Sequence, residues 1–200
     1  MQLKLPQGPF KAYLFDCDGT IVDSMPLHYI AWKKMLPEWE SHFPEKLFYS
    51  LGGMPTAAIV ALLNERNGTD MPPEETAREK EEIFYQILPE LKAIPEVLEH
   101  IEATHGKIPF AVVSGGTRDA VTRSLNALGL LGLFETLVCA GDYVNAKPHP
   151  EPYLLAAERL GVAPEDCLVF EDTEIGIESA TAAGMASVKV AQPWERVAVG

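Results

Sequence analysis

Basic residues are scarce in this chain, and long apolar runs are missing. Of its 200 residues, 16 are Lys or Arg against 29 Asp or Glu, giving a formal net charge of −13. A nucleic acid would meet a repulsive field instead of a cationic stripe, so a nucleic-acid partner is not expected. No stretch is apolar over the length of a membrane span, and Met1 to Phe10 has neither a basic n-region nor an apolar h-region. Neither a membrane partner nor export is expected. Cysteine is sparse as well: Cys17, Cys139 and Cys167 are an odd set without CxxC spacing. That pattern fits a reducing compartment, by default the cytoplasm, better than a disulfide framework.

What the chain does have is apolar content, 47% of its residues, enough to bury one substantial core and a small appended module. With so negative a chain, an anionic ligand has to be held by local devices. Those are a metal ion, a single lysine, or backbone N–H groups at a helix start.

Short apolar runs recur at Ala12–Phe15, Phe110–Val113, Leu137–Cys139, Leu168–Phe170 and Ser187–Val190, each followed by a break, and they read as buried strands. Helical patterns separate the later ones: Arg118–Leu128, Pro150–Leu160 and Gly176–Ala183, each ending at a glycine. The alternation predicts βαβ units and an α/β fold with a parallel sheet covered by helices on both faces. Between Met25 and Leu91 the rhythm stops, and amphipathic stretches at Leu27–Met35, Thr56–Asn64 and Glu74–Leu88 replace the strands. Residues 24–92 are therefore expected to be a helical insert, with the core formed by 1–23 and 93–200.

In an open parallel sheet, ligands bind beyond the carboxyl ends of the strands, so the residues after each run carry the functional information. The first run delivers Asp16-Cys17-Asp18-Gly19-Thr20, the second Ser114-Gly115-Gly116-Thr117, the third leads to Lys147, and the fourth delivers Glu171-Asp172. Taken alone, Asp-x-Asp-Gly is equally well a simple turn. A calcium loop fails, because Ile21 stands where glycine is needed and Leu27 where a bidentate glutamate is needed. Two carboxylates two residues apart at a strand exit can face the same way, one attacking phosphorus or binding metal while the other handles a proton. The acids Glu171 and Asp172 would complete an oxygen-rich Mg²⁺ site, and Mg²⁺ with Lys147 would neutralise the charge of a phosphate under attack.

These residues make the sequence resemble the haloacid dehalogenase-type phosphohydrolases. The four motifs read Phe15-Asp16-Cys17-Asp18-Gly19-Thr20, Val113-Ser114-Gly115-Gly116, Lys147-Pro148, and Glu171-Asp172-Thr173-Glu174-Ile175-Gly176-Ile177, in order and over essentially the whole chain. The resemblance implies a Rossmann-like, doubly wound core with an inserted α-helical cap, and Mg²⁺ as cofactor. It implies that Asp16 is the nucleophile that becomes an aspartyl-phosphate, and that Asp18 is the acid and base. The Asp16 carboxylate, the Asp18 main-chain carbonyl and Asp172 would hold the metal, with Glu171 a direct or outer partner. Ser114, the Gly115 N–H and Lys147 would grip the phosphoryl oxygens.

Within that family the insert is most similar to the cap of the β-phosphoglucomutase and fructose-1-phosphate phosphatase branch. Asp23-Ser24-Met25-Pro26-Leu27-His28, Ala31-Trp32, Gly52-Gly53-Met54-Pro55-Thr56 and Ala77-Arg78-Glu79-Lys80 carry the likeness. It implies that His28, Trp32, Thr56 and Lys80 serve the substrate, although Trp32 reads more readily as packing and Lys80 equally as a solvated charge. Cys17 alternates away from both aspartates and is expected in the core. His149 is given no role. The mutase branch ends its cap loop in an arginine, where this chain has Thr56. The resemblance therefore implies a phosphatase of a small phosphorylated metabolite, a sugar phosphate above all. The alternatives are mutase-type transfer and a phosphate-binding regulator without catalysis.

Overall fold

The structure is a computed structural model that describes residues 3–51, 54–192 and 195. Gly52 and Gly53 of the cap-loop motif lie outside the described residues. Contacts divide the chain into two units, Met1–Asp23 with Lys92–Gly200, and Ser24–Leu91. Lys92 falls in the first unit, where its carbonyl accepts a hydrogen bond from the Asp23 N–H at 2.8 Å. Among the described residues, no helix is long and apolar enough to cross a membrane.

The first unit is built on a five-stranded sheet of Ala12–Phe15 (β1), Phe110–Thr117 (β2), Thr136–Ala140 (β3), Cys167–Glu171 (β4) and Ala186–Lys189 (β5). Every pairing is parallel and the order is β3-β2-β1-β4-β5. This is the doubly wound arrangement. The chain steps outward from β1 to β3, then returns to the other side of β1 for β4, so the topological switch point lies between β1 and β4. Phe15 pairs with Phe170 across that point, which brings the residues after the two strands side by side. The second strand runs longer than the apolar run predicts, because Ser114, Gly115 and Gly116 continue it after its register shifts between Val113 and Thr117.

The second unit is helical: Met25–Met35 (α1), Glu45–Ser50 (α2), Thr56–Asn67 (α3) and Pro73–Ile87 (α4). Trp32, Met35, Phe43, Phe48, Val60 and Leu63 form its apolar core. The longest of these helices, α4, packs against α1 and α3 and buries Phe84 and Ile87 while Glu74, Glu75 and Glu82 stay exposed.

Back in the first unit, the helices are Pro95–Thr104 (α5), Arg118–Ala127 (α6), Glu151–Leu160 (α7) and Glu174–Ala182 (α8). Helix α5 has no counterpart among the predicted helices, since only Val97 and Ile101 of its ten residues are fully buried. Strand alternation sorts the side chains by size. Ala12, Leu14, Ala111, Val113 and Val169 face α7 and α8, where small residues let the helices come close. Tyr13, Phe15, Phe110 and Phe170 form an aromatic layer on the opposite face, with the His100 ring of α5 against it. The Phe15 and Phe170 rings stack at 4.6 Å directly beneath the switch point. A pair of this kind contributes about 1 kcal/mol beyond its buried area.

Candidate active site

The exit of β1 is a tight turn. The Cys17 carbonyl accepts from the N–H groups of Ile21 and Val22 at 2.9 and 3.0 Å, and the Gly19 N–H donates to the Val22 carbonyl at 2.8 Å. Gly19 sits at φ +89°, and a Cβ there would collide with the Asp172 carboxylate, so only glycine fits. Cys17 is buried, as its alternation from the aspartates predicts. Asp16 is tied to β4 by its N–H, which donates to the Phe170 carbonyl at 2.9 Å. Asp18 is half-buried and leans toward the end of β2, where a Cβ on Gly116 would lie 3.7 Å from its Oδ2.

Lys147 joins three strands. Its ammonium donates to Asp16 Oδ1 at 2.8 Å, Glu171 Oε1 at 2.7 Å and the Val113 carbonyl at 2.9 Å. All three of its hydrogens are thereby used. Burial opposes its charge, but the carboxylates of Asp16 and Glu171 outweigh burial and hold the ammonium well above the ordinary lysine value. Ser114 is buried at the end of β2, with its Oγ accepting from the Gly116 N–H at 3.0 Å. Gly115 is exposed beside it.

The side chains of Asp16, Glu171 and Asp172 offer ligand atoms that lie within 4.8 Å of one another. Burial first, then the Glu171 charge, pushes Asp172 up to about 7, against the opposing hydrogen bonds from Thr20 and Gln192. Three acids facing one ammonium leave a buried excess of negative charge. Hard oxygen donors and uncompensated negative charge together fit a small divalent cation such as Mg²⁺.

Glu171 is the most heavily engaged of the three. Oε1 accepts from Lys147 and, at 3.2 Å, from the Tyr153 hydroxyl. Oε2 accepts from the Thr173 N–H and the Thr173 hydroxyl, both at 2.9 Å. These four donors match the lone-pair sites of an ionised carboxylate, so a cation at Glu171 would have to displace one of them. Gly176 completes the fit, since a Cβ there would run into the Glu171 carboxylate.

The residues assigned to the insert separate into two groups. His28, Lys80 and Thr56 belong to one network: Lys80 Nζ lies 2.7 Å from His28 Nδ1 and 2.8 Å from Glu81 Oε1, and the Thr56 hydroxyl reaches Glu81 at 3.5 Å. An ammonium only donates, so His28 Nδ1 accepts and the neutral ring carries its proton on Nε2. Burial, then the Lys80 charge, holds His28 well below the ordinary histidine value. Lys80 is 3% exposed, which replaces the solvated reading with a buried, paired one. Trp32 stands apart from this network. It is 1% exposed in the apolar core of the helical unit, edge-on to Phe43 at 5.4 Å, and these are the surroundings of a packing residue.

Three residues that touch the acids, and one that touches Ser114, had no assignment in the sequence. Tyr153, Thr173 and Gln192 donate to Glu171 or Asp172, and the Tyr143 hydroxyl donates to the Ser114 carbonyl at 3.1 Å. Only Tyr153 left a signal, because it interrupts an alanine stripe on a buried helix face and a buried phenol needs a partner. His149 lies outside the cluster, half-exposed with Nδ1 accepting from the Glu151 N–H.

A doubly wound sheet whose switch point gathers three acids, a lysine and a serine is a Rossmann-like enzyme core built around an anionic substrate. The chain belongs to the haloacid dehalogenase-like hydrolase family, whose family model matches residues 13–190. It is 36% identical over 182 residues to the fructose-1-phosphate phosphatase of Escherichia coli, covering 90% of this chain and 96% of that protein. It is 32% identical over 179 residues to a phosphorylated carbohydrates phosphatase of Thermotoga maritima, covering 88% and 82%. Among solved structures, β-phosphoglucomutase from Clostridium difficile superposes with a TM-score of 0.79 at 26% identity, covering 94% of this chain and 87% of that one.

Proposed function

We propose that this hydrolase of phosphate monoesters acts on a small phosphorylated carbohydrate, through an aspartyl-phosphate on Asp16 and with Mg²⁺ as cofactor. The single observation that carries the reading is the bridge from Lys147 to Asp16 and Glu171 at the switch point. It puts a fixed ammonium beside the carboxylate that has to approach a phosphate dianion. One Asp16 oxygen attacks phosphorus, and the bond from phosphorus to the sugar oxygen breaks. Asp18 gives its proton to that oxygen. In the second half, Asp18 takes a proton from water, the water oxygen attacks phosphorus, and the bond to Asp16 breaks, which releases inorganic phosphate and restores both aspartates. Ser114 and the Gly115 N–H hold the phosphoryl oxygens opposite Lys147. Bound Mg²⁺, held by the carboxylates of Asp16 and Asp172 and the Asp18 carbonyl, would offset the repulsion between nucleophile and substrate.

In this reading the insert, Ser24–Leu91, is the cap, and His28, Lys80 and Thr56 serve the sugar part of the substrate. The relatives named for fructose 1-phosphate and phosphorylated carbohydrates support the substrate class. A panel of phosphorylated sugars, incubated with purified protein and Mg²⁺ and followed by phosphate release, tests it. Release is expected from at least one sugar phosphate, lost on chelation, restored by Mg²⁺ and inhibited by excess Ca²⁺, which prefers more ligands and would draw Asp16 away from in-line attack. No release across the panel, or full activity after exhaustive chelation, would contradict it.

The likeness to β-phosphoglucomutase favours mutase-type transfer as a second reading. A mutase has to hold a bisphosphate in two orientations, which calls for a cationic grip on the idle phosphate. Thr56 cannot supply that grip, so hydrolysis is expected to dominate when β-glucose 1-phosphate is offered with a bisphosphate primer. Conversion mainly to glucose 6-phosphate would reverse this order, and Thr56→Arg should move the ratio toward transfer.

A further inference from the structure

Tyr153 lies on α7 with no exposure, in an apolar layer that takes Ala156 and Ala157 from the same helix and Ala180 from α8. A phenylalanine would fill this layer as well, so packing accounts for the ring and leaves the hydroxyl unexplained. That hydroxyl donates to Glu171 Oε1 at 3.2 Å. The same oxygen accepts from the Lys147 ammonium at 2.7 Å, and that ammonium lies over the Tyr153 ring, 4.8 Å from its centroid. One side chain therefore touches both members of the pair that borders Asp16.

We propose that Tyr153 is a positioning residue: its hydroxyl and ring hold Glu171 and Lys147 in the register that sets the ammonium against Asp16. The proposal rests on the reading above, in which Asp16 and Lys147 carry the phosphoryl chemistry. Lysine reaches its partners on a flexible four-carbon stem, so its direction is set by what surrounds the ammonium. The ring face attracts the cation from one side. The hydroxyl supplies Glu171 with a second donor on Oε1. Without that donor the oxygen leans on Lys147 alone and draws the ammonium away from Asp16.

The test is a double-mutant cycle of Tyr153→Phe and Glu171→Gln, with Lys147→Ala alongside, assayed on 4-nitrophenyl phosphate with Mg²⁺. Inhibition by inorganic phosphate and thermal unfolding are measured on each variant. Tyr153→Phe is expected to unfold as cooperatively as the parent and to lose about tenfold in kcat with KM little changed, the loss typical of one hydrogen bond to a charged group. In the Glu171→Gln background the same change should cost no more than about twofold further, because the hydroxyl acts through that carboxylate. A residue that merely filled space would leave kcat of Tyr153→Phe at the parent level, and a hydroxyl acting independently of Glu171 would give losses that multiply. Parent-like kcat in Tyr153→Phe, or multiplying losses, overturns the proposal. If Lys147→Ala is inactive while Tyr153→Phe runs at full rate, the role of Tyr153 alone fails. If Lys147→Ala keeps full activity, the phosphoryl-transfer reading fails and the role of Tyr153 with it.

Discussion

Asp16 and Asp18 sit two residues apart yet occupy different settings, one buried and bridged to Lys147, the other half-buried toward β2. That difference separates their expected losses on substitution. Asp16→Asn keeps volume and hydrogen-bonding shape but cannot attack phosphorus, so turnover should vanish while circular dichroism and thermal unfolding stay close to the parent. Measurable turnover at the parent rate would rule out the covalent route. Asp18→Asn should still accept the phosphoryl group from a substrate with a good leaving group, then release it slowly. Quenched reactions of that variant are expected to show a phosphorylated protein, and its absence would count against Asp18 as the base that activates water. Both aspartates were legible because three further strand ends carry a hydroxyl, a lysine and two more acids in the order that completes one site. The alanine stripe around Tyr153 marks a buried phenol in need of a partner, but nothing in its sequence neighbours links it to Glu171.

Among the elements, α8 is tied to the site through its first residues. The Thr173 hydroxyl accepts from the Gly176 N–H at 3.1 Å, capping the helix, and donates to Glu171 Oε2 at 2.9 Å. Thr173→Ala removes both, and a cap of this kind contributes about 1 kcal/mol, with a further comparable loss for the hydrogen bond to the carboxylate. Thr173→Ser should recover most of it. Chemical denaturation of the three proteins gives the comparison, and equal midpoints would remove the cap from the account. At the start of α7, Glu151 plays a similar local part by accepting from the Val144 and Asn145 N–H groups at 2.8 and 3.0 Å, in the loop that leads to Lys147. Helices α6, α7 and α8 were legible because glycine punctuates their ends and apolar residues repeat along one face. The short stripe of α5 was too sparse for that, and its position depends on the aromatic layer that the strands build.

At the scale of the whole molecule, the acid cluster costs stability unless a cation offsets it. Asp172 titrates at about 7 in the folded chain against an ordinary value of 3.8. The folded state therefore binds a proton that the unfolded state releases between these values. The penalty on the charged group is full above about pH 7 and is relieved progressively as pH falls from there toward the ordinary value of 3.8. Mg²⁺ without substrate should raise the unfolding midpoint of metal-stripped protein more at about pH 8 than at about pH 6, where a proton already relieves the repulsion, with stabilisation of about 2.7 kcal/mol at a hundred times its dissociation constant. Thermal scans with and without Mg²⁺ measure the difference. Equal shifts at both pH values would detach the metal from Asp172.

The sequence by itself determined the α/β alternation, the helical insert and the order of the four motifs. These follow from local periodicity and from residue types whose chemistry is the same in any setting. Tertiary structure alone decided which donors meet which acids. The register of Phe15 with Phe170 brings Asp16 beside Glu171, the arrival of Lys147 from beyond β3 binds both, and α7 lowers Tyr153 onto the same oxygen. It also settled Trp32 in the apolar core of the helical unit and paired Lys80 with His28 and Glu81. Each of these contacts joins residues far apart in the chain or on different elements. Their distances are set by how strands pair and helices pack, which no local pattern of residues encodes.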